Sequence, residues 1–306
     1  MNKKNKVFTA PMAGITDKPF RKILRRFSKA PIFTEMVGVE TLIHCHPKTL
    51  KMIQIQDEKN IIVQLVGANP LSFEKAAKIV KDMGAVGIDI NMGCPVKKLI
   101  QNNSGAELMR HSELACRLVE TVKKNTSLPV SVKTRLGWQS KNELMSFAKT
   151  LENAGVDQLE VHARTKEMGF SGEADWASVS PVCMELKIPV VINGDIINNK
   201  VAQKALSESH ANAVMIGRAL LGQPWQLAQI ESGKRPHLHL KDIVLEHFEN
   251  ILSYYGHAGV FVARKHLAWY AKNKKNVAVW RKKMYLEESE TILRKMIASF
   301  FDEDEL

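Results

Sequence analysis

The chain has 306 residues, of which 45% are hydrophobic, enough for one large domain or for a domain of roughly 200–250 residues with a smaller second one. No stretch approaches the roughly 20 apolar residues of a membrane helix, and MNKKNK leads into VFTAPM without the apolar core of a signal peptide. We therefore expect a cytoplasmic protein without membrane contact. Four widely spaced cysteines argue against a disulfide framework and a metal site. The net charge of +12 favours a polyanionic partner such as nucleic acid.

Eight apolar segments rich in Val and Ile alternate with amphipathic stretches over the first 236 residues. The predicted strands are 7–12, 32–37, 61–67, 86–92, 130–136, 159–164, 190–195 and 213–218. Helical patterns such as SFEKAAKIVKDMGA lie between them, and several end on a glycine that suits a helix C-terminus. This rhythm predicts an α/β protein with a (β/α)8 TIM barrel over 1–236. A doubly wound parallel sheet is the competing fold.

The strand rhythm ends near residue 237, and the remainder, 237–306, reads as three or four helices. We expect a small C-terminal all-helical domain. Between Arg264 and Lys283 there are eight Lys or Arg residues and no acid, interleaved with aromatic residues such as Trp269 and Trp280. Basic residues follow phosphates and aromatic rings stack on unpaired bases, so this domain is the predicted RNA-docking part. The alternatives are a helix core for the tryptophans and a solvated face for the charges.

A TIM barrel carries its chemistry at the C-terminal ends of its strands. Polar or conformationally special residues occupy that position in all eight predicted units. They are Pro11, Met12 and Ala13; Glu35; Gln64; Asn91 and Cys94; Lys133 and Arg135; His162 and Arg164; Asn193, Gly194 and Asp195; and Gly217 and Arg218. Their convergence predicts one site at this rim.

The segments NGD and IGR follow the seventh and eighth strands, where barrels commonly bind a phosphate, and Arg218 adds a positive charge. Neither GxGxxG nor GxxxxGK[ST] is present. We therefore expect a cofactor that carries a phosphate, with flavin mononucleotide (FMN) and pyridoxal phosphate as the candidates. Lys133 suits both, as a Schiff-base lysine or as a cation beside the N1 edge of a flavin.

Taken in order, several segments resemble the tRNA-dihydrouridine synthases, flavoenzymes that reduce the C5=C6 bond of uridine in tRNA. They are APMAGITDKPFR, QLVG, DINMGCPVKK, SGAELM, VKTRLGW, VHART, INGDI and MIGRALLGQPW. The later stretch VARKHLAWY is most similar to the bacterial B-type branch. The resemblance covers nearly the whole chain and implies reduction of D-loop uridines with FMN as the cofactor.

The resemblance also implies roles for individual residues. Cys94 is the implied proton donor. The implied FMN-binding residues are Pro11, Met12, Ala13, Gln64, Lys133, His162, Asn193, Gly194, Asp195, Gly217 and Arg218. NADPH is the implied transient reductant, and NADH is an alternative.

Cys94 lies between Gly93 and Pro95, after the fourth strand. Hydride addition to uracil C6 requires a proton at C5, and a free thiol, with a pKa of about 8.5, is mostly protonated at neutral pH. Gly93 lets the backbone approach the substrate and Pro95 stiffens the turn, so the pattern predicts a general acid. The competing interpretation is a buried structural cysteine.

We predict tRNA contacts for Asn91 at the uracil edge, for Arg164 and Lys166 in the sixth loop, and for Arg264 and Lys265 in the helical part. The alternative for Asn91 is a side chain that caps its loop, and Lys166 suits a solvated surface equally well. We expect a monomer without an obligate protein partner. Two other classes stay open: a small-molecule FMN barrel oxidoreductase, which would leave the basic helices without a role, and a non-catalytic RNA-binding protein, which would leave Cys94 without one.

Overall fold

The computed structural model describes residues 6–302, so residues 1–5 of the predicted barrel and residues 303–306 of the predicted helical domain lie outside the described range. The strands are β1 Val7–Thr9, β2 Ile32–Gly38, β3 Ile61–Val66, β4 Gly87–Asn91, β5 Val130–Arg135, β6 Gln158–His162, β7 Val190–Asn193 and β8 Ala213–Ile216. The helices are α1 Lys18–Arg25, α2 Val39–Ile43, α3 Pro47–Met52, α4 Pro70–Asp82, α5 Lys97–Gln101, α6 Ser112–Asn125, α7 Glu143–Asn153, α8 Ser180–Glu185, α9 Asn199–Ser209, α10 Gln226–Ser232, α11 Leu240–Tyr255, α12 Gly259–Tyr270, α13 Val277–Leu286 and α14 Glu290–Phe300. Short 3₁₀ helices cover Gly105–Arg110, Ala177–Val179, Arg218–Leu220 and Gly256–Ala258.

All neighbouring strands in the ladder are parallel, in the order β1-β8-β7-β6-β5-β4-β3-β2. Between β1 and β2, the backbone N–H of Phe33 donates to the hydroxyl of Thr9 over 3.1 Å, which brings the two end strands together. The predicted TIM barrel is confirmed, and each predicted strand segment overlaps one strand of the sheet.

Side-chain caps fix where several helices begin. Asp17 accepts from the N–H of Phe20 at the start of α1, and Asn69 accepts from the N–H of Leu71 at the start of α4. Asn198 does the same for α9. Such caps satisfy backbone donors that lack a partner within the helix.

The barrel interior has an apolar half and a polar half. Phe8, Ala10, Phe33, Val191, Ala213 and Met215 form a cluster between β7 and β2. The inward positions of β3 to β6 carry polar side chains instead: Gln64, Asp89, Asn91, Ser131, Lys133, Glu160 and His162. Buried polar groups are costly unless they are paired, so this half marks where the molecule places its chemistry.

The four helices α11 to α14 enclose a second hydrophobic core. The predicted all-helical C-terminal part needs such a core in order to fold. Ile23 of α1 and Trp225 belong to this core, and α11 packs directly on α1, so the helical part rests on the barrel. Trp280 is buried and stacks on Phe300 with a centroid distance of 4.4 Å, which is a core position. A division at residue 236/237 stays a prediction.

Within residues 6–302, no helix combines the length and the apolar character needed to cross a membrane.

Candidate active site

A cavity of about 1920 Å³ opens at the C-terminal ends of the strands. Most of the residues predicted for the site line it: Pro11, Met12, Ala13, Asn91, Cys94, Lys133, His162, Asn193, Gly194, Asp195, Gly217 and Arg218. Its volume exceeds the roughly 300–1,000 Å³ of a usual small-molecule pocket, which leaves room for a cofactor and a second ligand.

Cys94 is partly exposed to this cavity, on a loop that the side chains of Asn91 and Arg135 hold in place. The Asn91 side-chain oxygen accepts from the N–H groups of Gly93 and Cys94, at 3.2 and 3.0 Å. Arg135 donates to the Gly93 carbonyl over 2.7 Å. A Cβ on Gly93 would come within 3.1 Å of the β5 backbone, so glycine permits the close approach of loop and strand. The thiol is therefore aimed into the cavity by fixed backbone.

Asn91 thus caps the Cys94 loop, the alternative that the sequence had left open for this residue. Its side-chain nitrogen also donates to Gln64 over 2.9 Å. Because Asn91 still lines the cavity, contact with a substrate base stays a prediction.

Lys133 lies at the cavity floor and donates to the side-chain oxygen of Asn193 over 3.2 Å. Burial, followed by the charge of Arg135, lowers the pKa of Lys133 from 10.5 to about 8, while Asp89 and Glu160 oppose that change. The ammonium therefore remains mostly charged at neutral pH, as a cation beside a flavin would need to be.

His162 is held neutral on the wall of the cavity. Burial, together with four surrounding cations, lowers its pKa from 6.5 to about 2. A guanidinium nitrogen of Arg164 lies 3.3 Å from Nε2 of His162. Because a guanidinium only donates, Nε2 accepts and the proton of the neutral ring is assigned to Nδ1.

Arg164 does not occupy the phosphate-contacting position that we expected. Its side chain is 2% exposed and does not line the cavity. It donates to Asp195 over 2.5 Å, to the Gly172 carbonyl over 2.7 Å and to the Ser171 carbonyl over 3.1 Å. Each of these contacts lies within the protein, so the guanidinium holds the sixth loop against the seventh instead of facing RNA.

At the predicted phosphate-binding end of the cavity, closely packed backbone lies beside a cation that faces the cavity. Gly194 has a φ of +123°, and a Cβ there would lie 2.9 Å from the Cβ of Ala174. The Arg218 side chain is 58% exposed, and it donates to Asp195 over 3.3 Å. The Asp195 carboxylate also accepts from the N–H of Ala174, so it is already engaged, and Arg218 is the group available to an anion.

Gln64 lies beneath the floor and does not line the cavity. Its amide donates to Asp89 and accepts from Asn91. Contact with a cofactor edge stays a prediction for this residue.

Arg135 and Phe170 line the cavity, although the sequence analysis gave neither a specific role in catalysis or binding. Arg135 anchors the Cys94 loop and donates to the Thr165 and Gly169 carbonyls. Burial lowers the pKa of Arg135 from 12.5 to about 10, so it remains charged. The place of Arg135 at a strand end was a usable signal, whereas Phe170 lies in an irregular loop that no sequence pattern singled out.

The cavity continues from the barrel mouth into a groove along the helical part. Trp269 and Asn273 line this extension, together with four exposed lysines that we call the groove lysines. The groove lysines are Lys272, Lys275, Lys283 and Lys295. Among the lining residues of the described chain, Asp195 is the one carboxylate, so the groove presents a nearly uniform positive charge to a ligand.

Three predicted RNA contacts lie elsewhere. Arg264 donates to the Glu287 carbonyl and packs on Phe261, whereas Lys265 donates to the Gly14 carbonyl in the loop after β1. Both residues therefore make contacts within the protein. Lys166 lies 4.0 Å from the Trp138 ring and outside the cavity lining, so its contact with RNA stays a prediction.

Residues 8–300 match the family model described as dihydrouridine synthase (Dus). The chain belongs to the dihydrouridine synthase family. A protein of Rickettsia bellii (strain RML369-C), named a probable tRNA-dihydrouridine synthase, is 39% identical and aligns over 96% of this chain and 94% of its own. One from Rhodobacter capsulatus, with the same name, is 43% identical over 87% of this chain and 86% of its own. The tRNA-dihydrouridine synthase B of Pasteurella multocida is 36% identical over 91% and 87%. The family resemblance inferred from sequence is confirmed.

Solved structures support the fold of this dihydrouridine synthase family member. Morphinone reductase in complex with tetrahydroNAD superposes with a TM-score of 0.54 at 12% identity, over 75% of this chain and 87% of the reductase. Histamine dehydrogenase from Rhizobium sp. 4-9 gives 0.59 at 16% identity, over 82% and 48%. At such identities the likeness shows a shared barrel architecture and no more.

Proposed function

We propose that the protein is a flavin-dependent tRNA-dihydrouridine synthase in which Cys94 donates a proton to C5 of the target uracil. The observation that carries the proposal is the single cavity that joins the thiol and the Lys133 ammonium to the basic groove of the helical part. Family membership and the curated relatives support the reaction class.

The residues present fit an FMN. Pro11, Met12 and Ala13 offer backbone and apolar surface for the ring, and Lys133 offers a cation at the floor. Asn193 and Arg218 would hold the phosphate end, since a charged hydrogen bond to phosphate is among the stronger contacts available. When bound, the flavin would supply the hydride that reduces the base.

The protein's own groups would then orient and protonate the base. Cys94 would deliver its proton to C5 from a loop fixed by Asn91 and Arg135. Arg135 would stabilise negative charge that develops on the uracil carbonyls, because a buried cation acts strongly where water is displaced. His162, which is neutral, would offer an Nδ1–H donor instead of a further charge.

A uridine must leave its stack to reach this depth, which costs least for a base in a loop. The groove lysines would contact the phosphates that flank the extruded base. We propose a tRNA loop as the substrate and a nicotinamide, NADPH in preference to NADH, as the transient reductant.

The test combines the purified protein with FMN, NADPH and an unmodified tRNA transcript, followed by nucleoside mass spectrometry. We expect dihydrouridine that depends on each of the three. A protein that binds FMN and oxidises NADPH but leaves the transcript unchanged, while reducing free uracil derivatives, would support the small-molecule barrel reductase instead. Failure to bind FMN at all would contradict the flavin chemistry.

A further inference from the structure

Two carboxyl groups lie buried beneath the cavity floor and were not used in the proposed chemistry. Asp89 is on β4 and Glu160 on β6, both are 0% exposed, and the two carboxyl groups are close enough that each affects the pKa of the other. Lys133 lies on β5 between these two strands and is close enough that both acids act on its charge. Two ionised carboxylates in contact repel strongly in a dry interior, so one proton must be shared between them.

The hydrogen bonds show which oxygen carries that proton. Both Asp89 oxygens accept, one from Gln64 at 2.5 Å and the other from Ser131 at 2.8 Å. In Glu160, Oε1 accepts from Gln158 at 2.6 Å, whereas no described group donates to the buried Oε2. A proton on Oε2 of Glu160 would give this buried oxygen a donor role toward the ionised Asp89. Burial raises the pKa of Glu160 well above its ordinary value, and the neighbouring Asp89 adds to this effect.

A chain of amides connects this pair to the thiol loop. The Asp89 carboxylate accepts only, so it fixes the Gln64 nitrogen toward itself and the Gln64 oxygen toward Asn91. The Asn91 nitrogen is then turned toward Gln64, and its oxygen toward the N–H of Cys94. Each amide has one orientation that satisfies all contacts, and the acid sets that orientation.

We propose that Asp89 and Glu160 are a positioning pair that shares one proton. Its single negative charge keeps Lys133 protonated at the cavity floor and, through Gln64 and Asn91, orients the Cys94 loop. The use of Lys133 and Cys94 in catalysis rests on the proposed function, whereas the shared proton and the chain of amides do not.

The experiment follows Lys133 and Cys94 directly in the full-length protein, with and without added FMN. The pH profile of reductive methylation at Lys133 and the rate of iodoacetamide alkylation at Cys94 are read by peptide mass spectrometry. The variants are Glu160→Gln, in which the amide still donates to Asp89, the double variant Asp89→Asn/Glu160→Gln, which removes the charge, and Glu113→Gln as an exposed control.

In the double variant we expect the Lys133 midpoint to fall by about one pH unit or more, the effect of losing an opposite charge within ~4–6 Å. Glu160→Gln and Glu113→Gln should keep the wild-type midpoint. Gln64→Leu should keep that midpoint and speed Cys94 alkylation several-fold, because it breaks the chain of amides and leaves the negative charge of the acid pair. An unchanged midpoint in the double variant, or an equal fall in Glu160→Gln, would overturn the proposal.

Infrared spectroscopy tests the pair even if the double variant does not fold. Wild-type protein minus Glu160→Gln should show the carbonyl band of a protonated, buried carboxylic acid at pH 7, and absence of that band would refute the shared proton. None of these readouts depends on tRNA reduction. If they succeed while the tRNA assay fails, the proposed function alone is wrong.

Discussion

Replacing Arg164 with glutamine separates an internal role for this cation from contact with RNA. The guanidinium is buried and holds Asp195, two carbonyls of the sixth loop and His162. Removing one partner of a buried ion pair costs roughly 3–5 kcal/mol. Asp195 keeps Arg218 and a backbone N–H, and a third of its side chain is exposed, so we expect the lower end, about 3 kcal/mol.

The assay is urea unfolding of wild type and Arg164→Gln, paired with tRNA binding over a range of salt concentrations. We expect the loss of stability together with an unchanged slope of log affinity against log salt. A lost phosphate contact would instead lower that slope by roughly 0.7–0.9. Lys166→Gln is the matched control, because its ammonium packs on Trp138 and should affect stability by no more than about 1 kcal/mol. Normal stability in Arg164→Gln with a reduced salt slope would refute the internal role.

Three further predictions concern the phosphate end of the cavity, the groove lysines and the cap of α1. Arg218→Ala combined with Asn193→Ala should weaken FMN binding roughly 10- to 100-fold, the usual effect of losing charged hydrogen bonds, and full flavin occupancy after dialysis would place the phosphate elsewhere. Neutralising the four groove lysines should reduce the slope of log tRNA affinity against log salt by up to about three. Arg264→Gln should leave this slope unchanged, because Arg264 makes contacts within the protein. Equal slopes in wild type and the four-lysine variant would make the groove an ordinary solvated face. Burial raises the pKa of Asp17 from 3.8 to about 6, so the contribution of this carboxyl to stability should fall as pH rises between these values. The stability of Asp17→Asn, which keeps a helix cap, should therefore rise relative to wild type by up to about 3 kcal/mol between pH 4 and pH 8. A pH-independent difference in urea unfolding would contradict this.

The barrel and most of its rim could be predicted from sequence because parallel strands end at one edge. Once eight apolar segments alternate with helices, residues such as Cys94, Lys133 and Asn193 must converge, whatever the detail of the loops. The structure brings all three to one cavity.

Side-chain direction beyond the strand ends could not be predicted in the same way. Arg164 follows the last residue of β6 by two positions, where the backbone is irregular, and it turns inward to Asp195. A charge pattern does not distinguish this from an outward arginine. Likewise, Lys265 and Lys272 belong to one basic run. Because of the way the helical part packs on the barrel, Lys265 contacts Gly14, whereas Lys272 lies in the groove.

Asp89 and Glu160 show a signal that was present but not used. Each acid lies between two apolar residues of a predicted strand, and such a residue must be paired when buried. The sequence indicates that each acid needs a partner, but the pairing depends on barrel shear, which places β4 and β6 side chains together across β5.

Cys94→Ala tests the central claim most directly in a single turnover. The variant, loaded with FMN and reduced by NADPH, is mixed with tRNA, and flavin reoxidation is followed by absorbance while dihydrouridine is quantified. Losing a general acid should slow both by roughly 100- to 10,000-fold, with the rate of reduction by NADPH unchanged because that half-reaction does not involve the thiol. Reoxidation and dihydrouridine formation at the wild-type rate would contradict the assignment of Cys94 as the proton donor.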